Sequence, residues 1–244
     1  MPQSYSRHQT DAVFYLQHGL LPALVMAVLL GLIAGFKLDG TLATILYDSQ
    51  GQSWALKDYF WLETVIHQGG RMFFALLYIA LLCCCLLPDF KQHRGPLVYL
   101  TLSIFIALVS INLLKKISGV PCPWSVNFLG GSQDMIEWFQ GFNGDSGCFP
   151  AGHASSGYAW VALYFFALMV CPALKYHGLL FGMALGLIYG IAQQLRGAHF
   201  LSHDLSTLAV CWFVPMLIYP IFSSNLVSVS DQKRMEPPHE NEKT

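Results

Sequence analysis

Between Arg94 and Lys115 the chain reads GPLVYLTLSIFIALVSINLL, residues 95–114, and none of these side chains carries a charge. An α-helix needs about 20 mostly apolar residues to cross the hydrocarbon core of a membrane. This stretch therefore predicts a membrane-spanning helix.

Five other stretches lack charged residues over a similar length, and they are Leu20–Phe36, Met72–Pro88, Gly157–Leu174, Tyr176–Leu195 and Leu205–Phe222. All six stretches are long enough for helices and too long for the strands of a barrel, so we expect an all-α, six-transmembrane helical bundle. The 244-residue chain is 55% hydrophobic and only 11% charged, whereas a soluble domain is about one quarter charged. This composition excludes a soluble globular protein, and a net charge of −1 argues against a nucleic-acid partner.

The distribution of apolar and charged residues divides the chain into two regions. Residues 1–230 are expected to form one integral membrane domain. Residues 231–244 are charged and contain proline, which predicts a disordered cytoplasmic tail.

The basic residues give an orientation. An even number of spans puts both termini on the same side of the membrane. That side has seven of the 13 Lys and Arg residues, and the other side has six. Three of those six belong to the candidate site below, which leaves seven against three. The positive-inside rule then places the termini in the cytoplasm. The long connections, Lys37–Gly70 and Lys115–His153, would therefore lie on the outer, periplasmic face of a cell inner membrane, and loops there are expected to carry the site.

Three polar clusters lie at the outer ends of the predicted spans, where ionisable residues are costly and commonly functional. They are Lys115–Trp124, Cys148–Gly157 and Arg196–Asp204. The second and third contain His153 and His199, and one imidazole can attack a substrate while another protonates the leaving group.

The same clusters can bind an anion. Three cations, Lys115, Lys116 and Arg196, could hold it between them. Gly152 and Ser155 open a predicted helix, whose free N–H groups also favour negative charge. Two histidines, several cations and a helix N-terminus together suit phosphoryl transfer, in which a protein mainly positions groups and neutralises charge.

The clusters resemble the type 2 phosphatidic acid phosphatase superfamily of membrane phosphatases. That family has Lys, six residues and Arg-Pro; then Pro-Ser-Gly-His; then Ser-Arg, five residues, His, three residues and Asp. Here Lys115 precedes Cys122-Pro123 by six residues, Pro150-Ala151-Gly152-His153 matches the second motif except at serine, and the segment around His199 resembles the third.

The resemblance implies a membrane phosphatase that needs no metal or cofactor. His199 would be the nucleophile and form a phosphohistidine, His153 would protonate the leaving oxygen and later activate water, and Lys115 would bind phosphate. The substrate would be a lipid phosphate or diphosphate, and a phosphotransferase that uses another lipid as acceptor would have the same site.

Four positions depart from the family pattern: Cys122 and Gln193 replace its arginines, Ala151 replaces its serine, and His203 stands where its aspartate should be. We expect Arg196 and Lys116 to substitute for the arginines, and Ser155 for the serine. Asp204, one place beyond His203, is the preferred group to orient His199, because a carboxylate stabilises an imidazolium. His203 is the alternative, because residues four apart share a helix face.

Cys122 and Cys148 each lie beside a motif in the same outer connection. An oxidising periplasm would permit a disulfide between them, and we predict that this bond holds the first two motifs together. The alternative is two free thiols in a packed loop.

Two other functions remain open at this point. His199 and His203 have a workable zinc spacing, so a zinc-dependent membrane hydrolase is one alternative. The four departures motivate the other, a non-catalytic lipid-binding or transport protein on a phosphatase scaffold.

Overall fold

The computed structural model describes residues 12–142 and 147–235, with side chains up to residue 223. Its described regular structure is helical, and the one β feature there is an isolated bridge between Val126 and Gln133. The α-helices are α1 (Leu21–Gly35), α2 (Leu38–Ser49), α3 (Gly69–Leu86), α4 (Arg94–Ile117), α5 (Gly152–Tyr158), α6 (Ala162–Val170), α7 (Lys175–Leu195) and α8 (Leu201–Met235).

Short helical turns extend several of these elements. Two π-helical segments precede α1 and α3, and they are Leu16–Leu20 and Trp61–Gln68. Five 3₁₀ turns are also present in the described chain: Pro88–His93, Pro123–Ser125, Asn127–Leu129, Ala159–Val161 and Pro172–Leu174.

Six helical segments of the described chain are long and apolar enough to cross a membrane: Ala12–Gly35, Trp61–Leu86, Pro88–Ile117, Gly152–Val170, Pro172–Leu195 and Leu201–Ser223. The predicted all-α fold with six spans is therefore confirmed. All six spans begin at least four residues earlier than the uncharged stretches, because the stretches were bounded by charged or polar side chains that the helices include. The predicted disordered tail, residues 231–244, falls largely outside the described residues and stays a prediction.

The fourth span, formed by α5 and α6, lies at the centre of the bundle and is the most buried of the six. It packs against α7 through glycines. A Cβ atom on Gly157 would lie 2.3 Å from the backbone nitrogen of Gly186, and one on Gly182 would lie 2.4 Å from that of Val161. Any larger residue at these glycines would force the two backbones apart, so the glycine spacing of α7 sets a close helix–helix approach.

The connections between α1 and α3, between α4 and α5, and between α7 and α8 meet on one face of the bundle, which we call the loop face. A small apolar cluster covers it, in which Val126, Leu129 and Phe200 are buried against Ala43 of α2. Trp54 joins this cluster and donates a hydrogen bond from Nε1 to the carbonyl oxygen of Leu129, at 3.1 Å. The three connections therefore pack on one another rather than separately.

Asp39 of α2 caps the start of α8. Its Oδ1 accepts a hydrogen bond from the backbone N–H of Ser202 at 2.9 Å. Burial raises the pKa of the Asp39 carboxyl, and hydrogen bonds from Ser202 and the backbone of Leu201 oppose that shift. The first backbone N–H groups of a helix have no partner within the helix, so a carboxylate supplied by α2 fixes the direction in which α8 begins.

Replacing Asp39 with alanine is expected to lower the free energy of unfolding by about 1–2 kcal/mol, because the buried Ser202 N–H loses its acceptor. Asp39→Asn keeps an acceptor oxygen and should cost less. Asp48→Ala changes an exposed aspartate of the same helix and is the matched control. Thermal unfolding of the detergent-solubilised variants measures the difference, and equal melting temperatures for Asp39→Ala and Asp48→Ala would contradict the capping role.

Candidate active site

The three polar clusters meet on the loop face. Lys115 lies in the last turn of α4 and His153 in the first turn of α5, and a Cβ atom on Gly152 would be 3.8 Å from the Lys115 ammonium nitrogen. The backbone N–H of Ala151 donates to the carbonyl oxygen of His203 at 3.3 Å. The end of α4 and the starts of α5 and α8 are therefore adjacent, as the motif order predicts.

His199 lies two residues before α8, with only 3% of its surface exposed. Burial lowers the pKa of its imidazole well below the ordinary value, and the nearby His203, Lys115 and His153 lower it further, while the Cys148 backbone opposes the shift. The His199 ring is therefore a free base at neutral pH. A neutral imidazole keeps the lone pair that a nucleophile needs.

His203 is a polar neighbour of His199, since their Nδ1 atoms are 3.5 Å apart. Asp204 points elsewhere: its Oδ2 accepts a hydrogen bond from the Gln194 side chain, and its buried Oδ1 has no partner among the described residues. A Cβ atom on Gly190 would lie 2.9 Å from this carboxylate. Asp204 thus packs against α7, and its predicted contact with His199 does not occur in this arrangement.

His153 contacts His67, which the sequence did not single out. The two rings have their centroids 3.9 Å apart, and their Nε2 atoms are in hydrogen-bond contact. The Nδ1 atom of His67 lies 2.9 Å from Glu63 Oε2. His67 and Glu63 belong to the π-helical turn that begins the second span, so the first of the long connections ends in the site.

Arg196 is buried, and internal partners occupy its guanidinium. Its Nε donates to the carbonyl oxygen of Lys57 at 2.7 Å, its Nη1 donates to Gln193 Oε1 at 3.1 Å, and its Nη2 forms an ion pair with Glu63. The structure therefore places Arg196 beside Gln193, as the helical spacing predicts, but with its guanidinium directed at protein groups.

The other predicted phosphate-binding residues differ in their placement. Lys116 is exposed, one residue beyond Lys115 on α4. Ser155 is buried, and its hydroxyl donates to the Gly152 carbonyl oxygen at 2.5 Å. The Ser155 hydroxyl is thus engaged within its own helix, whereas Gly152 lies beside Lys115.

Arg71 is a further cation at the site. It is exposed and has no ion pair or hydrogen bond among the described residues. A narrow cavity brings it together with both rings of the histidine pair, and the lining residues are Ile66, His67, Gly70, Arg71, His153, Ser156, Tyr189 and Gln193. His199 lines a second narrow cavity with residues of α2 and the end of α7. Arg71 therefore has unused donors beside His153.

Cys122 and Cys148 are joined by a disulfide, with their Cα atoms 5.2 Å apart and a sequence separation of 26. Cys148 lies at the end of the connection between α4 and α5 and has its backbone beside both His199 and His203. The bond therefore connects Cys122, which stands where the first motif has arginine, to Cys148, whose backbone lies beside His199 and His203.

Breaking this disulfide is expected to cost about 3 kcal/mol of unfolding free energy, the chain-entropy value for a loop of this length. A reductant should lower the melting temperature of the wild type and of Cys171→Ala, which keeps the pair, but not that of a Cys122→Ala/Cys148→Ala variant. A membrane-impermeant maleimide should label the pair only after reduction. Equal labelling of both cysteines without reductant would contradict the bond.

Glu63 and His67 were missed because nothing in their immediate sequence resembles a known motif. The available signal was their spacing: a carboxylate and an imidazole four residues apart can pair on one helical face. Among the described residues, no group of three or more His, Cys, Asp or Glu side chains is arranged to hold a metal ion.

A sequence model described as the PAP2 superfamily matches residues 96–226, more than half of the chain, and this range contains all three polar clusters. No curated protein and no solved structure matches the chain.

Proposed function

Because the chain belongs to the PAP2 superfamily, whose members are phosphatases, and has helices able to span a membrane six times, we propose that it is a metal-independent lipid phosphatase. It would hydrolyse a lipid phosphate or diphosphate monoester through a phosphohistidine intermediate, on the periplasmic face of an inner membrane. The family indicates the phosphatase-type activity itself; the substrate, the intermediate and the membrane side are our proposal.

The observation that carries the proposal is the meeting of His153, His199 and Lys115 on the loop face. The positive charge of Lys115 and the ring of His153 both act on the buried His199. A substrate phosphate bound there would have a neutral imidazole, a second imidazole and a cation within reach. Positioning and charge neutralisation are what phosphoryl transfer requires.

The reaction follows in two steps. In the first, a ring nitrogen of His199 attacks phosphorus, the bond from phosphorus to the lipid oxygen breaks, and His153 gives that oxygen a proton. In the second, His153 takes a proton from water, the water oxygen attacks phosphorus, and the phosphorus–nitrogen bond breaks. Inorganic phosphate leaves, and both histidines return to their starting forms.

Lys115 and Arg71 are the cations we assign to the phosphate oxygens. Arg196 was predicted from the sequence to bind phosphate. Its guanidinium instead contacts Glu63, Gln193 and the Lys57 carbonyl. Charge-assisted hydrogen bonds are worth about 1.5–3 kcal/mol each. Arg71 therefore supplies, from a different helix, donors of the kind lost where the family arginines are absent.

We assign the orientation of His199 to His203 rather than Asp204. The support is geometric: the Nδ1 atoms of the two histidines are 3.5 Å apart, whereas Asp204 is bonded to Gln194. A proton held between the two Nδ1 atoms would leave His199 Nε2 to attack phosphorus. Comparing His203→Gln with Asp204→Asn separates the two assignments.

A membrane-embedded substrate fits the aromatic side chains around the loop face. Large aromatic residues there are more than 45% exposed, among them Tyr59, Phe60, Trp61, Phe128 and Phe139. Exposed aromatic side chains at this level of a membrane protein are typical of the lipid headgroup region. They would lie where the headgroup of a lipid phosphate enters.

The test is phosphate release by purified protein in detergent, with glycerophospholipid, polyprenyl and lipid A phosphates as alternative substrates. We expect release from at least one lipid, unchanged by a chelator and by His177→Gln, which alters an exposed histidine of α7. Loss of activity with the chelator and its return with zinc would favour the zinc hydrolase instead. Lipid binding without release from any substrate would favour the non-catalytic alternative.

A further inference from the structure

His67 links the proposed acid–base residue His153 to a carboxylate. Its Nδ1 lies 2.9 Å from Glu63 Oε2, and its Nε2 contacts His153 Nε2. Glu63 is itself held in place by an ion pair with Arg196 and by a hydrogen bond of 3.0 Å from the Gln68 side chain. The three groups form a continuous hydrogen-bonded series in which each side chain has a fixed neighbour.

The charged groups around His153 explain why it would need a hydrogen-bonded neighbour that can supply a proton. The charged groups that act on it are His67, Lys115, Arg71 and Arg196, and each of them disfavours a positive charge on His153. Like charges disfavour an imidazolium, so His153 is a poor place to store a proton. His67 differs in having a carboxylate at its Nδ1, since Glu63 Oε2 lies between it and Arg196. This contact favours a proton on His67, against the opposing effects of burial, Arg196 and Arg71.

We propose that Glu63 and His67 form a proton relay to His153, with His67 as the positioning residue that stores the proton. The inference rests on the proposed function, because it concerns the proton that the lipid oxygen receives. It adds two residues outside the three motif clusters.

The relay balances over the two steps. His153 gives the proton on Nδ1 to the leaving oxygen, and its Nε2 takes the proton from His67 Nε2, so His153 ends neutral and the His67–Glu63 pair has lost one proton. In the second step water gives a proton to His153 Nδ1, and the proton on Nε2 returns to His67. His153 never has to become an imidazolium among the cations.

Several titratable or charged groups face the His67–His153 pair from the surrounding elements, and they are Glu63, Arg71, Lys115, Tyr189, Arg196 and His199. Among these, Glu63 is the single carboxylate. The relay therefore predicts that removing the charge of Glu63 has the same kinetic signature as removing the ring of His67.

The experiment compares wild type with His67→Gln and Glu63→Gln, using the full chain in detergent and p-nitrophenyl phosphate and phosphatidic acid as probes. We expect kcat to fall about 100-fold in both variants with KM nearly unchanged, and the basic limb of the kcat profile to move about one pH unit toward acid. His177→Gln, which alters an exposed histidine of α7 outside the series, should keep the wild-type profile. Imidazole added to His67→Ala should restore part of the lost kcat.

The outcomes separate the relay from the function on which it rests. An inactive wild type would overturn the proposed function. An active wild type with unchanged kcat and pH profile in both variants would overturn the relay alone. If His67→Gln shows no cooperative melting transition, the pH profile of Glu63→Gln decides, and an unshifted profile there rejects the relay.

Discussion

Replacement of His199 by alanine is expected to reduce phosphate release by about 10⁴-fold or more, because alanine cannot form the proposed phosphohistidine. His199 is buried beside His203 and the Cys148 backbone, and the substitution removes the ring nitrogen to which we assign the attack on phosphorus. The measurement is the initial rate with the best lipid substrate, alongside His177→Ala as the control histidine. Activity within tenfold of wild type would remove His199 from the mechanism.

The lowered pKa of His199 also predicts how activity changes at acidic pH. An ordinary histidine has a pKa of about 6.5, and burial places that of His199 well below its ordinary value. A lowered pKa keeps the ring unprotonated until the solution is more acidic. Activity should therefore persist as the pH falls through 6.5 and decline only below it, and an acid limb above pH 7 would contradict this assignment.

Replacement of His153 by alanine is expected to lower kcat by about 10²–10⁴-fold, the usual contribution of a general acid–base. The two steps should be affected differently. A substrate with a good leaving group, such as p-nitrophenyl phosphate, needs little protonation to form the intermediate, whereas its hydrolysis still needs a base for water. His153→Ala should therefore accumulate phosphohistidine.

Labelling with ³²P separates the two histidines. His153→Ala should retain label that survives alkali and is lost in acid, as expected of a nitrogen-linked phosphate, whereas His199→Ala should take up none. The double variant is the control for non-specific labelling. Label on His199→Ala equal to that on His153→Ala would place the covalent intermediate on another residue.

The bundle was accessible from sequence because lipid imposes a simple rule on it. Uncharged stretches of sufficient length mark helices that satisfy their own backbone hydrogen bonds in the membrane, and 95–114 is one of them. The rule fails at helix ends. Glu63 and His67 lie in the first turns of the second span, yet Arg71 follows them and the uncharged stretch begins only after it. The sequence pattern therefore assigns this end of the site to the preceding connection.

The side-chain partners depended on contacts that spacing alone does not fix. Asp204 follows His199 by five residues, and on a regular helix that position faces away, whereas His203 at four residues shares the face. The geometry follows this rule. The charge of Arg196 predicted phosphate binding. Its guanidinium instead contacts Glu63 and the Lys57 carbonyl, which are distant from it in sequence. Asp39 likewise acts on α8 from across the chain.

At the glycine contact between α5 and α7, the two backbones touch with no side chain between them. The helix that carries His153 and the one that leads to Arg196 are thus in direct backbone contact, and this close packing leaves little room for one to shift against the other. The reacting groups keep their spacing before any lipid arrives, so little reorganisation is left for the moment of bond breaking. A methyl group added at Gly186 would meet the Tyr158 ring of α5. It would therefore push apart the two helices that position the reacting groups.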